Sequence, residues 1–197
     1  MRDWLSDGYQ GYLHVDGYKA YGLTEATLVA CLAHIRREFV DAKKIQAKKA
    51  TGKVDVVLNL IGKLYGIEQQ IKGKSSEDKF TIRQSHAKPI VKELHHWLIK
   101  HKDKIPPKSK LGEAISYSLN QFDKFQLYLE DGKLSIDNNR AERAIKPFVI
   151  GREAWLFSNA CKGAHASAVL YSLVETAKAN GLIPFDYIAH FLEKLSA

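Results

Sequence analysis

Only two short stretches of this 197-residue chain read as β-strands, and both lie near its start. GYLHVD, residues 11–16, is a short segment that ends in an acid. TLVACLAH, residues 27–34, is an apolar run of strand length that passes into the basic, helical IRREFVDAKKIQAKK. Between them GYKAYG makes a turn rich in glycine and tyrosine. Two strands are too few for a stable sheet of their own. Strands that belong beside them are therefore expected to be absent from the chain or to come from another copy.

Everything behind those strands has the period of helices. Val54, Val57, Leu58, Ile61, Leu64, Tyr65 and Ile71 fall on one stripe, interrupted by Glu68 and closed by Gly73 and Ser75–Ser76. Leu94, Trp97 and Leu98 mark the next helix, with Pro89 near its start or at a kink. A basic loop around Pro106–Pro107 leads to Leu111, Ile115, Leu119, Phe122 and Leu129, a helix stopped by Asp131–Gly132. Pro147 is expected to end the helix that carries Glu142, leaving FVIGREAWLF extended or irregular. Residues 164–180 read as a long helix with Val169, Leu170, Leu173, Val174 and Ala177 inward and Gly181 as its cap. Pro184 then starts a last helix that buries Phe185, Ile188, Phe191, Leu192 and Leu195. The expected class is mostly α with a small β component.

Thirty Lys and Arg against 22 Asp and Glu leave a net charge of +8. Such a surplus favours a polyanionic partner, because each neutralised phosphate releases counterions. Cys31 and Cys161 cannot build a disulfide framework. No run approaches the roughly 20 apolar residues of a membrane span, and no leader segment is visible, so the cytoplasm is the expected location.

Two carboxylates draw attention as chemistry. Asp16 ends a strand beside Gly17, where a turn aspartate and a metal ligand at a strand end are both consistent with the spacing. Glu142 lies in DGKLSIDNNRAERAIKPF, residues 131–148, among Arg140, Arg143 and Lys146. A helix start ordinarily favours acids, so three cations there suit either a salt-bridged surface or a site that handles phosphate. Asp137 or Asn138 reads as a helix cap. Cys31 with His34, and Cys161 with His165, are spaced like two halves of a zinc site, although nothing local joins them. Cys31 reads more simply as a buried apolar residue, and His95 and His96 as a helix edge. Neither a glycine-rich phosphate loop nor a nucleophile elbow is present.

Taken in order, GYLHVDGYKAYG, CLAHIRREF, PKSKLGEAISY, DGKLSIDNNRAERAIKPFVIGREAWLF and YSLVETAKANGLIPFDYI resemble the C-terminal half of an insertion sequence 66 family transposase. DNNRAERAIKP is the most specific of these elements. The resemblance implies a partial ribonuclease-H-like α/β core with a large all-helical insertion and C-terminal helices. Residues 1–40 would be core, 41–130 the insertion, 131–158 the return to the core, and 159–197 the C-terminal helical region.

The resemblance also implies an Asp–Asp–Glu triad, with Asp16 as the second acid and Glu142, 126 residues later, as the third. Both would bind metal, Mg2+ or Mn2+ in the complete enzyme. Arg36, Arg37, Arg140, Arg143, Lys146 and Arg152 would contact DNA. The full-length form would cleave and transfer DNA strands. Asp3 and Asp7 precede Asp16 by only 13 and 9 residues, too few to encode three intervening strands, so neither matches the first acid. The chain is thus expected to be truncated, to bind metal weakly or not at all, and to lack catalysis by itself. Self-association, or association with other transposase subunits, would complete it. A catalytically inactive basic DNA-binding remnant, or a regulator of an intact transposase, is the alternative.

Overall fold

The computed structural model describes residues 9–45, 52–154, 158 and 160–195. Strands β1 (Tyr12–Val15) and β2 (Thr27–Ala30) form a two-stranded parallel sheet, with Tyr12 opposite Thr27 and Val15 opposite Ala30. The second strand is shorter than TLVACLAH suggests, because helix α1 (Leu32–Lys44) begins just after Cys31. Leu32, Ile35, Phe39 and Ala42 recur at helical spacing and all four are buried. That longer period overrides the local apolar run.

Helices α2 (Lys53–Gln70), α3 (Ser76–Ile82), α4 (Lys88–Lys102) and α5 (Lys110–Gln126) follow. Ser75 Oγ accepts from the Asp78 N–H, and Ser109 Oγ from the Gly112 N–H, each at 3.1 Å, so α3 and α5 start on side-chain caps. A π-helical turn, Arg83–Ala87, joins α3 to α4 without a break, and Pro89 follows that wider turn directly. Val29, Leu32 and Phe39 meet Ile61 and Leu64 of α2, Leu94 and Leu98 of α4, and Ile115 and Phe125 of α5 in one buried cluster. Each such side chain contributes about 1.5–3 kcal/mol relative to an exposed position.

Glu68, the acid that interrupts the α2 stripe, has a structural reason. Arg83 is 2% exposed and grips Glu68 with two bonds, Nε to Oε1 at 2.8 Å and Nη2 to Oε2 at 2.7 Å. Its Nη1 donates to the Tyr128 and Asp131 carbonyls, both at 3.1 Å, while the guanidinium lies over the Tyr128 ring. The Asp131–Gly132 turn beyond α5 is equally tight. A Cβ on Gly132 would fall 1.9 Å from the Ser76 carbonyl oxygen, so glycine is required there.

The chain divides into two compact units, residues 1–138 and 139–197, a division that falls within the expected 131–158 segment. The second unit holds α6 (Asn139–Ala154), α7 (Cys161–Ala179) and α8 (Pro184–Leu195). Pro147 does not end α6, which continues through it to Ala154, and most of the segment expected to be extended is helical. The proline removes the N–H that would reach the Arg143 carbonyl and crowds that carbonyl, a local loss the helix survives. Gly181, at φ +70°, and Pro184 mark the end of α7 and the start of α8 as expected.

Burial in this unit differs from expectation. Of the five residues expected inward on α7, only Ala177 is fully buried, and Leu170 is exposed. Phe185, Phe191, Leu192 and Leu195 of α8 are exposed, with Ile188 half-buried. Periodicity identifies an apolar face but does not supply the layer that would cover it.

Candidate functional site

Asp16 follows the last residue of β1. Its carboxylate Oδ1 accepts the Tyr18 N–H at 3.0 Å, and its main-chain oxygen accepts the Tyr117 hydroxyl at 2.9 Å. Gly17 adopts φ +92°, and a Cβ there would meet the Tyr117 hydroxyl oxygen at 2.9 Å. The turn reading of Asp16 is therefore present in the structure. The same turn leaves the side chain exposed at the carboxyl end of a parallel strand, where open sheets hold ligands. Burial pushes the Tyr117 phenol up, with smaller contributions from the charges of Glu38 and Asp16.

A polar knot sits beside the end of β2. The Leu32 N–H donates to the Ile136 carbonyl at 3.1 Å, and the Asn138 N–H to Cys31 Sγ at 3.4 Å. Burial raises the Tyr65 phenol first, and the Asp137 carboxylate raises it further through its charge and a hydrogen bond. Burial lowers His14, against an opposing pull from Asp137. Burial also raises the Cys31 thiol, despite amide donors from Asn138, His34 and Ala33. Cys31 is thus a buried residue tied to the chain just before α6. Residue spacing alone reads Asp137 or Asn138 as a cap and misses the bond between Asp137 and Tyr65. The available signal was a tyrosine on the apolar stripe of α2, since a buried hydroxyl needs a partner.

Glu142 is exposed in the first turn of α6. With Asn139, Arg143, Ile145, Lys146 and Val149 it borders an open groove along one face of α6. Arg140, Arg143 and Lys146 are all exposed. Arg36 and Arg37 are exposed on α1 in the first unit. Arg152 lies on the α6 backbone with its side chain outside the described residues, as is Trp155. Cys31 and His34 belong to the first unit, Cys161 and His165 to the second. No group of three or more His, Cys, Asp or Glu is placed to hold a metal among the described residues.

Residues 1–166 match the family model described as Transposase IS66 family, and residues 172–197 match the IS66 C-terminal element. The chain belongs to the IS66 transposase family. Among the relatives of this IS66 chain are three proteins of Sinorhizobium fredii (strain NBRC 101917 / NGR234). Uncharacterized protein y4jD is 34% identical over 95% of the chain and 38% of its own length. Uncharacterized protein y4hP is 32% identical over 96% of the chain and 37% of its length, and uncharacterized protein y4qI is 32% identical over 96% and 36%. The IS66 chain therefore spans under two fifths of the length of the curated relatives it matches. No solved structure matches it. Among the described residues no helix of this IS66 chain is long and apolar enough to cross a membrane.

Proposed function

We propose that this chain is a DNA-handling part of a transposase whose full-length form performs metal-dependent strand cleavage and strand transfer. The observation that carries the reading is Glu142, set in the first turn of α6 among Asn139, Arg143 and Lys146, in a chain of this family. A lone carboxylate between cations suits a site where phosphates gather around an acid. Under this reading β1, β2, α1 and α6 belong to a ribonuclease-H-like core, and α2–α5 form its insertion.

Asp16 and Glu142 are the proposed acids. Their oxygens are the hard donors that Mg2+ and Mn2+ favour, and both side chains are exposed. A bound ion would supply electrostatic stabilisation to the phosphodiester oxygens. The protein's own part is orientation. The Tyr18 amide and the Tyr117 hydroxyl hold the Asp16 turn. Within the first unit, Asn138 is linked to Cys31 and Asp137 to Tyr65. Arg140, Arg143, Lys146 and Arg152, with Arg36 and Arg37, neutralise backbone phosphates.

A second reading is DNA binding without cleavage. It is favoured by the Tyr18 amide, which already occupies one oxygen of Asp16. Self-association through an outer edge of the two-stranded sheet is part of either reading.

Nicking of supercoiled plasmid by wild type and Glu142→Gln, with and without Mg2+ or Mn2+, tests the first reading. Ion-dependent nicking that vanishes in Glu142→Gln supports it. Salt-sensitive DNA binding without nicking leaves the second. Failure to bind DNA at low salt removes both.

A further inference from the structure

Helix α6 presents two different faces. One bears Glu142, Arg143 and Lys146 along the charged groove. The other bears Phe148 and lines a largely apolar cavity of about 430 Å3 against α7. Ile145 lines both, so a single side chain separates them. In the apolar cavity the rings of Phe148 and Tyr171 meet edge to face, centroids 5.0 Å apart at 68°. Both residues are half-buried. Ser172, Glu175 and Thr176 add polar groups to the α7 wall, with Glu175 held by Lys178 at 2.7 Å.

We infer that this cavity receives an unstacked nucleobase of the DNA whose backbone the charged groove holds. The inference rests on the DNA-binding reading above. Its occupant needs a flat, apolar body for the aromatic wall and a negative charge beyond Ile145, where Arg143 and Lys146 stand. A nucleotide has that build, a neutral planar base one sugar away from a phosphate. An apolar peptide side chain matches the wall but brings no fixed anion. The volume falls within the range of small-ligand sites, roughly 300–1,000 Å3. Bases taken out of a duplex are commonly held between aromatic and apolar side chains, with polar groups reading their edges. Here Ser172 and Thr176 can donate or accept, and Glu175 can accept from an exocyclic amine, which favours adenine or cytosine over thymine.

The test titrates the full chain with two duplexes, one fully paired and one carrying a single bulged 2-aminopurine. The bulged duplex is expected to bind about tenfold tighter, the effect of one stacked base, and its emission to change as the base leaves water. Phe148→Ala removes the stacking wall. Ala168→Leu fills the cavity from α7 while keeping both rings. Each is expected to abolish the preference and spare the affinity for the paired duplex, whereas Lys146→Ala weakens both duplexes together. Equal binding of the two duplexes by wild type overturns the inference, leaves DNA binding intact and points to a protein surface as the occupant. A preference that survives either folded variant overturns it as well. If neither duplex binds, the DNA reading itself fails and the inference falls with it.

Discussion

Helix α2 of the first unit and helix α8 of the second are both amphipathic, yet only one is covered. Val54, Val57, Leu60, Ile61 and Leu64 of α2 are all buried, whereas no residue of α8 is buried and Phe185 is 79% exposed. The first unit gathers four longer helices and a small sheet around a single cluster and so closes its own core. Among the described residues the second has three helices and one fully buried apolar residue, Ala177. Stability is therefore concentrated in residues 1–138. The proposed DNA contacts fall in both units, Asp16, Arg36 and Arg37 in the first and Arg140, Glu142, Arg143, Lys146 and the aromatic cavity in the second. Large exposed apolar faces on a soluble surface usually mark contact sites. The contrast thus lies between a unit that covers its apolar faces and one that leaves them exposed.

The sharpest way to break that contrast is at Arg83. Arg83→Met leaves Glu68 without its two donors, removes the Arg83 bond to the Tyr128 carbonyl and leaves the Asp131 carbonyl with the Leu134 N–H alone. Removing one partner of a buried ion pair costs about 3–5 kcal/mol. Urea unfolding of the chain should show a loss of that size. The affinity for paired DNA, measured well below the new midpoint, should be unchanged, since the proposed contacts lie elsewhere. A loss under about 1 kcal/mol would mean that the Arg83 network does not anchor the first unit.

His14 gives a smaller effect with a definite sign. Burial lowers its pKa from the ordinary 6.5, so the folded state holds the neutral ring more firmly than the unfolded chain does. The unfolded chain therefore takes up a proton first as the pH falls. His14 contributes stability that is present above pH 6.5 and is lost as the pH drops through its lower folded value. The ring is only half-buried, so screening keeps the effect modest. Denaturant midpoints from pH 7.5 down to pH 5 should decline in wild type and decline less in His14→Gln. Parallel curves would mean that the nearby Asp137 cancels the burial.

Much of this was legible in the sequence, and the failures share a cause. Helical spacing located α2, α4 and α5, and the Asp131–Gly132 stop is real because Ser76 leaves no room for a Cβ at Gly132. The family motifs single out Asp16 and Glu142, which stand as the proposed acids. What spacing could not reveal were contacts between residues far apart in the chain. Glu68 looked like a flaw until Arg83, fifteen residues on, supplied its partner. The bond between Asp137 and Tyr65 joins residues 72 apart and leaves no mark in local spacing. Pro147 misled for a different reason. A proline costs a helix one bond and some crowding, and α6 tolerates that cost. Leu170 and Phe185 failed as core residues because amphipathic spacing says which side seeks cover, not whether cover exists.

The smallest predicted effect probes that last point. Phe185→Ser changes a side chain that is 79% exposed, so a monomeric chain should lose no more than about 0.5 kcal/mol. The measurement is a urea midpoint taken at two protein concentrations a hundredfold apart. If wild type and Phe185→Ser match within that margin and neither depends on concentration, the α8 face is open to water, as its exposure indicates. If wild type is stabilised at the higher concentration and the serine variant is not, a second copy covers the face. Mass action then makes the stability of the second unit a property of an assembly. In that case the contrast between the units would no longer lie between covered and uncovered helices. It would lie between a unit that closes its core within one chain and one that closes it only between chains.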